Sequence, residues 1–163
     1  MSERKILMIL IVVFLIFAFA TLLAAANGLA EDDDYYILCR PGGRVNVRSR
    51  PSKSAPVVGW VEFGQDVQTD GKERHGFMHV VDLAAETTEG WIYAGFLAYD
   101  PPRDEEYTAE VWGGPVIARS CIGGKQLRRL KDGDTVTVYA RSNAWAVTSK
   151  GYIMCDWLRE VDE

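Results

Sequence analysis

The sequence is poor in the residues that usually carry chemistry. It holds two histidines and three cysteines in 163 residues. Three cysteines close at most one disulfide, which excludes a disulfide-dense scaffold. His75 and His79 lie four apart on a segment read as a strand, a spacing that puts both on one side of it. Asp82 alone does not complete a ligand set, so neither a metal nor any other cofactor is expected. A Cys-x-x-Cys pair, a glycine-rich phosphate loop and a Gly-x-Ser-x-Gly elbow are all missing.

Basic charge is also scarce. Lys and Arg number 18 against 23 Asp and Glu, a formal net of -5. Because Glu3, Arg4 and Lys5 fall in an apolar leader, residues 31–163 carry -6, and Glu31, Asp32, Asp33 and Asp34 supply four of those charges. Nucleic acid needs a basic field on the folded part, so it is not an expected partner. Length excludes the large catalytic architectures. Without the leader about 133 residues remain, whereas a TIM barrel needs about 250.

What is present begins with Arg4-Lys5 and an uncharged run over 6–26 in which Thr21 is the single polar residue. Basic residues before such a run hold the start in the cytoplasm and send the rest outward. Residues 1–30 therefore read as a signal peptide or membrane anchor. The 21-residue run is long enough to span a bilayer, while Ala24-x-Ala26 and Gly28-x-Ala30 suit cleavage. The expected location is extracytoplasmic, either secreted or anchored, with membrane contact only through 6–26 if the run is retained.

Beyond an acidic spacer at 31–34, no stretch keeps helical apolar spacing, and short β-rich runs recur between Gly, Pro, Asp and Ser. Strands are expected at 35–39, 45–48, 56–63, 66–69, 76–81 and 90–93, then at 109–112, 116–119, 125–130, 135–139, 144–148 and 151–154. The two sets share an order. Gly43–Ser49 matches Gly114–Ser120 at an offset of 71; later landmarks match at 69, 68 and 61, the shrinkage falling at loops. The largest loss lies opposite 82–89, read as a lengthened hairpin tip. Paired prolines and charges over 100–106 mark a linker between units at 35–99 and 107–163.

Val45-Asn46-Val47-Arg48-Ser49-Arg50-Pro51-Ser52, then Gly64, then Gly90-Trp91-Ile92-Tyr93-Ala94-Gly95-Phe96-Leu97, resemble the opening and closing motifs of the bacterial SH3 (SH3b) domain family. The likeness covers nearly all of residues 36–98. The second unit lacks the Asn and the Pro at Val116–Cys121 but keeps the ending at Gly151–Leu158, and reads as a diverged copy. The resemblance implies an all-β chain of two small SH3-like, partly open β-barrels in tandem behind an N-terminal hydrophobic helix. It also implies an exported, non-catalytic recognition module at the cell wall. Exported SH3b domains are often fused to wall peptidases with a Cys nucleophile, but fewer than ten residues are unplaced between the repeats, too few to house one. No enzyme activity is expected.

Cys121 and Cys155, at the two ends of the second unit, are a candidate disulfide; a loop of that size would contribute about 3–4 kcal/mol. Fifteen of the eighteen aromatic residues lie beyond the leader. If Ile92 and Val61 point inward, alternation turns Trp60, Trp91 and Tyr93 outward near Arg48 and Arg50, whose planar donors suit a carboxylate or carbonyl. Arg119, Trp145 and Tyr152 are the equivalent set in the second unit. The expected partner is peptidoglycan, through peptide or glycan, or in the alternative an envelope protein to which this chain is an accessory or inhibitory subunit.

Overall fold

The computed structural model describes residues 33–83 and 89–161. The expected leader at 1–30 and the first half of the acidic spacer lie outside them, as does the centre of the lengthened tip. Among the described residues no helix is long and apolar enough to cross a membrane.

The first seven strands are β1 (Asp33–Ile37), β2 (Arg44–Arg48), β3 (Val57–Glu62), β4 (Asp66–Arg74), β5 (Phe77–Leu83), β6 (Gly90–Tyr93) and β7 (Leu97–Ala98). The next seven are β8 (Arg103–Val111), β9 (Val116–Arg119), β10 (Gln126–Leu130), β11 (Thr135–Arg141), β12 (Trp145–Thr148), β13 (Gly151–Met154) and β14 (Leu158–Glu160). A single 3₁₀ turn precedes the last strand of each set, at Ala94–Phe96 and Cys155–Trp157. The strands form two seven-stranded antiparallel sheets, ordered β3-β2-β6-β5-β4-β1-β7 and β10-β9-β13-β12-β11-β8-β14. Each position in the second order is its counterpart in the first advanced by seven, so the internal repeat is a repeat of topology.

Strand formation follows from alternation. Val45 and Val47 on β2 are buried while Asn46 is exposed, and Val136, Val138 and Ala140 on β11 are buried between more open neighbours. Each sheet coils around its own core. Tyr35, Val47, Val61, Val67, Val80, Ile92 and Leu97, one from each of β1 to β7, share a single apolar cluster, which a flat sheet about 29 Å wide could not assemble. Ala109, Val116, Leu130, Val138, Ala146 and Ile153, with Leu158 against them, do the same in the second sheet. The barrel expectation is met only at this level. Strands β3 and β7, and likewise β10 and β14, remain edges, and no pairing among the described residues closes either sheet.

Turn chemistry repeats with the strands. The Glu62 amide donates to Gln65 Oε1 at 3.1 Å, and the Lys131 amide donates to Asp134 Oδ2 at 2.7 Å, both pairs related by 69 residues. Leu38 N donates to Phe96 O and Trp112 N to Trp157 O, which makes Trp112 and Trp157 the counterparts of Leu38 and Phe96. Arg74 pairs with Phe77 across a two-residue turn in which His75 and Gly76 have φ of 52° and 74°, the backbone that suits a tight hairpin. His75 therefore sits in the turn and not, as its spacing suggested, on one side of a strand with His79.

A third cluster lies between the sheets. Leu38 and Ala98 from the first meet Cys121, Ala140, Val147 and Tyr152 from the second. Ile122 N donates to Gly95 O at 2.9 Å, and a Cβ at Gly95 would fall 2.6 Å from Cys121 Sγ, so only glycine lets the two backbones approach. Through these contacts the sheets form one compact unit. The segment read as a linker gives its last four residues to β8, because prolines remove backbone donors only as far as Pro102 and β8 pairs from Arg103 onward. The Cys121–Cys155 bridge is not formed. All three thiols are free, Cys121 packing between the sheets while Cys155 donates to Ser142 O and packs on the second core.

Candidate binding site

The outward side chains of the first sheet fall into rows set by register. Asn46 pairs with Trp60, Arg48 with Trp91, His79 with Trp91, and Phe77 with Tyr93. Arg48, Trp91 and His79 thus cross β2, β6 and β5 side by side, as alternation suggested for the first two. The His79 ring lies 4.8 Å from that of Trp91, with Nδ1 3.0 Å from Asp70 Oδ2 and Nε2 3.2 Å from Glu89 Oε1. Burial pushes the Asp70 carboxyl up, but hydrogen bonds from Lys72 and His79 outweigh it and hold the pKa at about 2. Among the described residues no group of three potential ligands could hold a metal ion.

Arg48 is less available than its sequence context implied. Its Nη1 donates to Ala55 O at 2.7 Å and braces the loop after β2. Arg119 does the same in the second sheet, donating to Gly124 O at 2.9 Å. Tyr93 stands edge-on to Phe77, at 5.3 Å between centroids, under Lys53 Nζ at 4.8 Å. Trp60 is 57% exposed, with the Arg44 guanidinium 5.2 Å from its ring centroid. Arg50 lines a further pocket with Pro51, Lys53, His75 and Phe77.

The second unit does not reproduce this face. Tyr152 is buried, and its hydroxyl donates to Leu38 O at 2.8 Å. Burial, with the Cys39 and Cys121 thiols nearby, pushes its phenol well above the ordinary range. Trp145 is half-buried against the cluster between the sheets. In the first sheet Trp60 is exposed and Trp91 and Tyr93 are half-buried, Tyr93 also packing against the cluster between the sheets; alternation gives the side a residue faces but not what packs there.

Two clefts follow the junction of the sheets. The first, of about 520 Å³, brings Arg48 and Tyr93 together with Asn46, Lys53 and Lys125. The second, of about 400 Å³, brings Arg119 and Tyr152 together with Arg40 and Tyr139. Arg40, Arg44, Lys53 and Lys125 were not foreseen. Each is an unremarkable surface cation in the sequence, and only the packing of one sheet against the other puts them in one place.

No curated protein matches the chain. Among solved structures it is similar to NlpC1 from Trichomonas vaginalis, at 19% identity over 82% of this chain and 47% of that one, with a TM-score of 0.34. It is also similar to NlpC2 from Trichomonas vaginalis, at 18% identity over 83% and 52% of the two chains, with a TM-score of 0.34. The chain spans about half the length of these proteins. Residues 43–98, which hold β2 to β7, match the bacterial SH3 domain family.

Proposed function

We propose that this chain is an extracytoplasmic, non-catalytic binding protein of two SH3b-like modules, the second a diverged copy, that recognises a peptidoglycan peptide or glycan. The observation that carries this reading is the bacterial SH3 match over 43–98, within which Trp91, Tyr93 and Trp60 lie outward beside Arg48 on the first sheet. Aromatic surface flanked by fixed donors suits peptides and sugars. The apolar run at 6–26 behind Arg4-Lys5 supports export.

Sedimentation with purified peptidoglycan tests it. The parent chain is retained, and Trp91→Ala and Arg50→Ala each weaken retention while circular dichroism stays unchanged. Parent-like retention by both folded variants removes this face from the reading. A second reading, an envelope protein–protein module, is favoured by Trp112 and Trp157, which are 52% and 40% exposed. Failure of the parent to sediment, with binding of one defined envelope protein, selects it.

A further inference from the structure

The two clefts share Arg44, Phe96 and Ser120, so they are parts of one seam between the sheets. Six cations line it: Arg40, Arg44, Arg48, Lys53, Arg119 and Lys125. Among the described residues no aspartate or glutamate lines either cleft. In a chain of net charge -5 this is a local reversal of sign. Among the described residues, Arg44 alone of the six has a carboxylate at ion-pair distance, Glu62 at 3.4 Å.

Four of the others are held in place without being neutralised. Arg40 lies 4.1 Å from the centroid of the Tyr139 ring, Lys53 lies over Tyr93, and Arg48 and Arg119 donate to backbone carbonyls. Like charges gathered along a concave wall raise the local potential and attract anions. The arginines offer planar forks that match carboxylates. Phe77, Tyr93 and Phe96 supply apolar wall and Asn46 a side-chain amide, which fit the carbon skeleton and amides of a peptide. A phosphodiester polymer would make little use of them.

We propose that the seam binds a peptide carrying two or more carboxylates, held jointly by Arg44 and Lys53 of the first unit and Lys125 of the second. The inference shares Arg48 and Tyr93 with the reading above but does not require wall binding.

Calorimetric titration of the full-length chain in a non-ionic detergent tests it, with acetyl-Ala-Glu-Glu-Ala-amide as probe and its Gln-Gln counterpart as control. The Glu peptide binds about tenfold more tightly than the Gln peptide, and added salt weakens it. Lys125→Glu and Lys53→Glu, both at exposed positions, each weaken binding about tenfold, whereas Lys131→Glu, outside the seam, leaves it unchanged. Equal affinity for the two peptides overturns the proposal. So does parent-like binding by both seam variants, or tighter binding of poly(glycerol phosphate) that displaces the Glu peptide. Selective peptide binding without peptidoglycan sedimentation removes the wall reading alone; sedimentation without selectivity removes the seam alone.

Discussion

The Tyr152 hydroxyl donates a 2.8 Å hydrogen bond to the Leu38 carbonyl, joining positions 114 residues apart across the two sheets. Both residues are buried, so the carbonyl has no water to replace the phenol. Tyr152→Phe keeps the ring and removes the donor, which costs about 1–2 kcal/mol. Urea unfolding should show a lower midpoint with an unchanged slope. An unchanged midpoint would mean that this contact contributes nothing to the junction.

The carboxylate of Asp70 makes one part of stability acid-sensitive. Its pKa is lowered from an ordinary 3.8 to about 2, so the folded state binds that proton less tightly than the unfolded chain does. The associated stability is present above about pH 4 and is lost as pH falls through about 2. Relative to the parent, Asp70→Asn should be less stable above about pH 4, with the gap closing between pH 4 and pH 2. A gap that stays constant over this window rules out the linkage.

Three free thiols predict a specific alkylation pattern. Cys39 and Cys121 are buried and Cys155 is half-buried. Burial pushes the Cys39 thiol up to about 11 and raises that of Cys155, which keeps both protonated and unreactive at pH 8. Iodoacetamide should modify the native protein slowly and, in denaturant without reductant, add three groups. A mass two groups short would reveal a disulfide.

Strand positions and the internal repeat were legible because alternation and turn residues act locally; the expected strands fall within a few residues of β2 to β6 and β9 to β13. Local signals also gave Trp91 and Tyr93 an outward side. What they could not give was partner identity. Tyr152 obeys the alternation that made it a surface candidate, yet the surface it faces is covered by Leu38 and Phe96. Arg48 and Arg119 looked like ligand donors, but each is bonded to a loop carbonyl five to seven residues on. Cys121 and Cys155 were paired by their place in the sequence, whereas packing sends one between the sheets and the other to the second core. The other four seam cations, Arg40, Arg44, Lys53 and Lys125, escaped notice because charge totals average over a whole surface.

The junction between the sheets also gives the repeat a direction. It uses Ile122 N as a donor to Gly95 O, and the counterpart of Ile122 in the first unit, at the offset of 71, is Pro51, which has no N–H. Beside it Arg50 stands where the second unit has Cys121. The first sheet therefore has no equivalent donor at this position. At the opposite end Trp112 and Trp157 occupy the places through which Leu38 and Phe96 dock, and there they face solvent. Stacking by this same junction lacks its donor at one end, where a single imide stands, and is open at the other.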